Sequence, residues 1–284
     1  MGFDAQFLGV AAPLPRVSEA DAAASVELDS VHFTVVLDTV RRFARVTGVN
    51  IDGAALVELE RGDRWQFDDR IPADWQAGPL VYADNDLDRG HLVRRRDPVW
   101  GPPEVAARAN SDTFRYTNAA PQASGFNQSK ELWLGLEDHV LEHARAYRQR
   151  LSVFTAPVLG NGDPSYRGIR VPLRFWKIAA WNTGNGNGNG NGNGNGSDTG
   201  DEGTLAAVGF IVDQAPLVDT GAVREPAAGE APPLGPFRTF QVPIADIAAA
   251  TGLVMPDLIA ADRMPEAITE LGWRRIEEPA DILL

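Results

Sequence analysis

Apolar and β-branched residues gather in short blocks along this chain, with polar or glycine-rich stretches between them. Residues 32–37, 44–49 and 55–59 read as strands. The first two can pair across the arginines that separate them, and Asn50-Ile51-Asp52-Gly53 supplies a turn. Residues 60–87 are polar and broken by Asp, Pro and Gly, the pattern of a loop. Residues 102–110 predict a short helix, and 113–117 alternate as a strand. Across 127–150, Leu132, Trp133, Leu136, Val140, Leu141, Ala144 and Tyr147 recur at helical spacing. Residues 151–159, 171–181 and 204–212 are apolar enough for core strands, and 243–251 and 264–271 predict short closing helices. Residues 1–30, with Pro13 and Pro15 ahead of an Ala-rich helix candidate, read as a loose N-terminal arm. Residues 31–284 read as one domain. An Asn-Gly repeat at 184–196 has no side chains to pack and predicts a disordered insertion. Residues 214–235 form a Pro/Ala/Gly-rich loop.

Length and composition widen this to an ordinary globular class. The 284 residues, 44% of them hydrophobic, can bury a sizeable core. No apolar run approaches the ~20 residues of a membrane span. The first residues lack the basic and apolar regions of a signal peptide, so the expected location is the cytoplasm, or outside it by a signal-independent route. There is no cysteine, which removes disulfides, thiolate catalysis and Cys-ligated zinc. Any metal must sit on oxygen or imidazole donors, the set preferred by hard cations such as Mg²⁺.

Charge complicates the picture. Lys and Arg number 26 against 39 Asp and Glu, a net −13. A polyanion should be repelled by that overall field. The positive charge is clustered, however: Arg89, Arg94, Arg95 and Arg96 surround His91, and Arg41, Arg42 and Arg45 form a second group. The expected surface is a basic cleft on an acidic body.

Four blocks carry the candidate chemistry: Asp88-Arg89-Gly90-His91, Asn118-Ala119-Ala120-Pro121-Gln122, Asn127-Gln128, and Trp133-Leu134-Gly135-Leu136-Glu137. They bring an imidazole, arginine, carboxylates and carboxamides into a short span, the groups that metal-assisted phosphodiester hydrolysis requires. His91 can take a proton from water near neutral pH. Arg89 can stabilise charge on a phosphoryl transition state.

In this order the blocks resemble the signature of the DNA/RNA non-specific endonuclease family, the ββα-metal nucleases that include the Serratia-type nuclease and mitochondrial endonuclease G. The resemblance implies an α+β, ββα-metal (His-Me finger) fold with a central, mainly antiparallel sheet. It implies a hydrolase that cuts DNA, RNA or both with little sequence preference, leaving 5′-phosphate ends. His91 would be the general base and Asn127 the direct ligand of one Mg²⁺, for which Mn²⁺ can substitute. Glu137 would orient water around the metal. Arg64 sits where members often place a second phosphate-contacting arginine. Asp88 would brace the loop or His91, and Asn118 would hold the site's backbone or the hydrated metal. The chain departs from the Serratia-type pattern twice. Trp133 and Glu137 lie two residues further from Asn127, which turns a helix face by ~200°. Phe114 stands where those members carry a polar residue.

Rival patterns are weaker. Asp84, Asp86 and Asp88 mimic the start of a calcium loop, but its glycine position is Arg89 and its closing glutamate position is Arg95. His139 and His143 lack the glutamate of a zinc-protease helix. No Gly-x-Ser-x-Gly elbow is present. Two alternatives to a polymer nuclease stay open: a phosphodiesterase for small nucleotide-type diesters, and a binding protein that keeps the fold without catalysis. Salt separates the polymer nuclease from the small-diester enzyme, because polymer binding weakens steeply with ionic strength. Toxicity of an active nuclease to its host also suggests an inhibitor protein as partner.

Overall fold

The computed structural model describes residues 1–60, 62, 64–123, 141–142, 144–184, 203–215, 238–264, 272–277 and 281–282. Its centre is an eight-stranded, wholly antiparallel sheet. The strands are β1 (Ser25–Ser30), β2 (Phe33–Asp38), β3 (Phe43–Asp52), β6 (Arg150–Val158), β9 (Arg174–Asn182), β10 (Leu205–Asp213), β11 (Arg238–Val242) and β12 (Arg274–Ile276), in that spatial order. Two small ribbons stand apart from it: β4 (Leu87–His91) with β5 (Ala119–Ala123), and β7 (Ser165–Tyr166) with β8 (Ile169–Arg170).

The central strands are nearly all apolar because both sheet faces are covered. In β10, Val208, Phe210 and Val212 face one core while Ala207 and Ile211 face the other. In β9, Phe175 and Ala179 oppose Trp176, Ile178 and Ala180 in the same way. This is the period-two alternation of a strand with apolar contact on both sides. Each fully buried large side chain, Trp176 and Phe210 among them, contributes roughly 1.5–3 kcal/mol of transfer free energy.

The two layers over the sheet differ. One contains α2 (Pro79–Tyr82), the β4–β5 ribbon and the helical residues 141–142 and 144–147, which contribute Val81, Leu87, Leu92, Ala120, Leu141 and Ala144. The other contains α4 (Ile244–Thr251), α5 (Pro256–Ala260) and the N-terminal segment, through Ile244, Ile247, Leu258, Leu8 and Ala12. Two further helices are α1 (Glu19–Ala22), which precedes β1 in the chain, and α3 (Pro103–Asp112), which lies between β4 and β5. Proline at the start of α3 fits a first turn that has no use for its N–H groups.

Several expectations are corrected. Residues 1–30 do not behave as a loose arm: Leu8 and Ala12 are buried, Asp4 N–H donates to Asn50 Oδ1 at 2.7 Å, and residues 25–30 are the edge strand β1. Residues 55–59 form no strand, only a bridge between Leu56 and Trp100. Residues 113–117 are a turn running into a 3₁₀ segment at Tyr116–Asn118. The expected pairing of 32–37 with 44–49 is present as β2–β3, and 102–110 is helical as α3. The Asn-Gly repeat beyond Gly184, most of 127–150, nearly all of 214–235 and nearly all of 264–271 lie outside the described residues.

Candidate active site

The first two motif blocks, far apart in the chain, are the two strands of one antiparallel ribbon. Asp88 pairs with Gln122, Arg89 with Pro121, Gly90 with Ala120 and His91 with Ala119. Gly90 is required by close approach. A Cβ there would sit 2.0 Å from Gln122 Cδ, so any other residue would displace the Gln122 side chain. His91 is the last residue of β4 and half-buried.

Asn118 fixes the backbone just beyond His91. Its side chain is fully buried, accepts from Val93 N–H at 2.8 Å, and donates to Val93 O at 2.9 Å and Thr113 O at 3.0 Å. Its backbone carbonyl accepts from Leu92 N–H at 3.0 Å. The amide is thus committed to backbone on both sides, which makes Asn118 a brace. Gln214, at the end of β10 and also fully buried, holds the other edge. It accepts from Ala123 N–H at 3.1 Å and donates to Pro121 O at 3.2 Å and Pro172 O at 2.7 Å.

Aromatic rings wall the imidazole. Trp65 lies 4.6 Å from the His91 ring at 48°, and Phe114 meets it edge-on at 4.9 Å and 87°. Phe114, read in the sequence as a departure from the polar residue of Serratia-type members, gives His91 an apolar wall. Arg89 is exposed, with its guanidinium 5.8 Å from the Trp65 ring, inside cation–π range. Arg64 is exposed next to Trp65 in the chain. Among the described residues no carboxylate pairs with Arg64 or Arg89. Burial, with Tyr116 adding, pushes the nearby Tyr82 phenol far above its ordinary range, and the positive charge of Arg89 opposes that shift.

The segment carrying Arg64 and Trp65 is pinned by a buried ion cluster. Gln66 N–H donates to Phe114 O and Tyr116 N–H to Gln66 O, both at 3.0 Å. Two residues on, the Asp68 carboxylate is inaccessible to solvent and bonds Arg70 Nε at 2.8 Å, Arg70 Nη2 at 2.6 Å and Arg115 Nη1 at 3.0 Å. Burial alone would raise the Asp68 pKa. The bonds from Arg70 and the charge of Arg115 overcome it and hold the carboxyl below its usual range.

Other arginines read as cleft charge are engaged in ion pairs. Arg96 pairs with Glu58 at 2.6 Å, Arg45 with Asp21 at 2.8 Å and Asp38 at 2.7 Å, and Arg41 with Asp163 at 2.5 Å. Asp88 is half-buried beside Arg89. Asn127 and Glu137 lie outside the described residues. Among the described residues no three His, Asp or Glu side chains converge as a metal shell. Trp65 was missed by sequence reasoning; its signal was its place beside Arg64. Gln214 gave no signal, since it meets the ribbon from about ninety residues away in the chain.

This geometry defines a class: a large antiparallel sheet carrying a short ribbon that ends in an imidazole beside arginine. The chain belongs to the DNA/RNA non-specific endonuclease family, whose profile matches residues 16–262. It is 38% identical over 298 residues to the uncharacterized protein y4fB of Sinorhizobium fredii, covering 98% of this chain and 42% of that protein. The chain thus spans less than half the length of that relative. Among solved structures it is similar to a chain of the EndoG/EndoGI complex, with a TM-score of 0.55 at 18% identity, covering 81% of this chain and 85% of that one. That likeness is one of fold.

Proposed function

We propose that this protein is a metal-dependent endonuclease that hydrolyses phosphodiester bonds of DNA, RNA or both without reading sequence. The observation that carries the reading is His91 at the end of β4, held beside Arg89 on a ribbon whose two strands are the two motif blocks. His91 accepts a proton from the water that attacks phosphorus. Arg89 and Arg64 offset charge on the phosphoryl oxygens. Asp88 braces the ribbon, and Glu137 takes an orienting role. The donor set fits a hard cation of the Mg²⁺ class, with Mn²⁺ as substitute: the chain has no thiolate, and β5 ends four residues before Asn127, the ligand this reading assigns. Bound there, the cation would supply charge neutralisation at the leaving oxygen.

Plasmid and RNA digestion by the purified chain tests this, with Mg²⁺, with EDTA, and with His91→Ala beside the unmodified protein. Metal-dependent cleavage of either polymer, lost in the variant, is expected. Failure to cut either polymer across metals and salt overturns the reading. The net charge of −13 favours one second reading, a phosphodiesterase for small nucleotide-type diesters. That enzyme would show little salt dependence where a polymer nuclease shows a steep one. An inhibitor protein belongs to the first reading, since the solved relative is an EndoG/EndoGI complex concerned with inhibition of EndoG. A pull-down at native expression that recovers no partner counts against it.

A further inference from the structure

We propose that the β7–β8 hairpin is a phosphate-binding surface that holds the sugar–phosphate backbone of a nucleic-acid strand away from the scissile bond. The proposal rests on the endonuclease reading and deepens it: the surface would favour polymers over small diesters.

A cavity of about 440 Å³ opens between Val40, Arg41 and residues 165–170. Three arginines line it, in two different electrostatic states. Arg41 is neutralised by Asp163 at 2.5 Å. Arg167 and Arg170 are exposed and held by carbonyls instead. Arg167 Nη1 donates to Leu80 O at 2.8 Å and Ala83 O at 2.5 Å, and Arg170 Nη1 to Asn161 O at 2.6 Å. Among the described residues no carboxylate pairs with either. A guanidinium held by carbonyls keeps its full charge and still has N–H groups free to donate. It is also oriented in advance, which lowers the entropy cost of gripping an anion. Arg45, Arg70, Arg96 and Arg115 meet carboxylates, whereas Arg167 and Arg170 share with Arg64 and Arg89 of the candidate site a charge that no carboxylate among the described residues offsets.

The turn chemistry agrees. Arg167 and Gly168 are the two central residues of the hairpin, with φ of 45° and 80°. Asparagine is the usual first residue of such a turn, and a long cationic side chain there carries a backbone cost. Its guanidinium also lies 5.0 Å from the Tyr166 ring. Ser165 adds a hydroxyl to the lining.

The hairpin is tied to the active-site ribbon. Asn85 Nδ2 donates to the Tyr166 hydroxyl at 2.9 Å, while Asn85 Oδ1 accepts from Leu87 N–H, the first residue of β4, at 2.9 Å. From Leu87 to His91 the strand runs ~13 Å at ~3.3 Å per residue. A duplex rising ~3.4 Å per step covers that length in about four steps. The phosphates gripped would therefore lie several nucleotides from the one attacked.

The experiment compares the full chain with Arg167→Ala/Arg170→Ala and with Arg167→Lys/Arg170→Lys. Binding of a fluorescein-labelled duplex is measured in EDTA by anisotropy, from about 50 to 200 mM salt. The alanine variant should bind several-fold more weakly. Its slope of log Kd against log salt should be shallower by about one to two, at ~0.9 for each phosphate no longer neutralised. The lysine variant should fall between the alanine variant and the unmodified chain, because it keeps the charge and loses the carbonyl-held fork. On cleavage, the alanine variant should raise KM for the duplex and leave kcat, lowering its preference for duplex over bis(p-nitrophenyl) phosphate by a similar factor. Unchanged affinity and slope in the alanine variant overturn the proposal, as does a duplex that the unmodified chain does not bind. A loss in the alanine variant that is the same at every salt concentration also overturns it, since a contact to phosphate must weaken as salt screens it. Charge-dependent duplex binding without any cleavage would keep the surface and remove the endonuclease reading.

Discussion

Two of the described histidines lie against tryptophans, in different settings. His32 stacks on Trp100 at 3.5 Å and 6°, the ring planes nearly parallel, and its Nδ1–H donates to Pro98 O at 2.8 Å. Its backbone is left-handed, with φ of 67°. His91 meets Trp65 at a tilt, has Phe114 at its edge, and shares Trp65 with the guanidinium of Arg89. The imidazole–indole contact is common to both and so does not distinguish a working group from a packed one. What differs is the company: a strand end with arginine beside it, against a turn closed by a carbonyl.

The contrast breaks most sharply by mutation at His91. His91→Ala should lower kcat on plasmid or RNA by about 10²–10⁴-fold, the usual worth of a general base, while His32→Asn should keep most of the activity. Equal losses at the two positions would erase the distinction.

The next effect tests what holds Trp65 in place. Asp68→Asn removes the carboxylate that Arg70 and Arg115 share, while Arg115 keeps Asp112 at 3.0 Å and Arg70 keeps solvent, and should cost roughly 1–3 kcal/mol of stability, read as a lower urea midpoint. The linkage sign is set by the depressed pKa of Asp68. Its stabilisation is present above the ordinary carboxylate range and lost as pH falls through the lower folded value. The variant should therefore lose part of the acid sensitivity of unfolding; an unchanged pH profile would remove Asp68 from that role.

Smaller still is the effect of Trp65→Leu. It removes the ring beneath Arg89 and beside His91, and should lower kcat/KM about tenfold, roughly 1–1.5 kcal/mol of cation–π and stacking. The corresponding Trp100→Leu should change stability and spare kcat.

The smallest effect concerns pH and His32. Burial holds its imidazole below the ordinary value, against the raising influence of the Pro98 carbonyl. The neutral form is favoured in the fold, so stability is complete above the ordinary imidazole range near ~6.5 and declines as pH falls through it. His32→Asn, which tolerates the left-handed backbone, should flatten the fall of unfolding free energy between about pH 6.5 and 5 by less than ~1 kcal/mol. A slope equal to the unmodified chain's would move that titration elsewhere.

Much of this architecture is legible in the sequence where both faces of a strand are buried. β3, β6, β9 and β10 stand out as largely apolar runs because both faces are covered, and the few polar side chains among them, such as Thr47 and Asn50, are buried with hydrogen-bond partners. Legibility fails where tertiary partners occupy the backbone. Residues 113–117 alternate like a strand, yet Thr113 O serves Asn118, and Phe114 O and Tyr116 N–H serve Gln66, which leaves a single bridge. β12 is three residues long and held by one neighbour, too short to show a period. At the site, the motif blocks named His91, Arg89 and Asn118, because local chemistry repeats with local sequence. Trp65, Phe114 and Gln214 are contacts made across the fold, and residue type alone does not announce them.

The clamp by Gln214 has a consequence for how the protein is made. During synthesis the ribbon that bears His91 emerges early, but its β5 edge has no partner for Ala123 N–H or Pro121 O until residue 214 has left the ribosome and β10 has joined the sheet. Such long-range closure is slow to form. The chain thus carries its own delay: the edge of the His91 ribbon is set only after the scaffold that supports it, so an unfinished chain has the motif blocks but not the clamped ribbon.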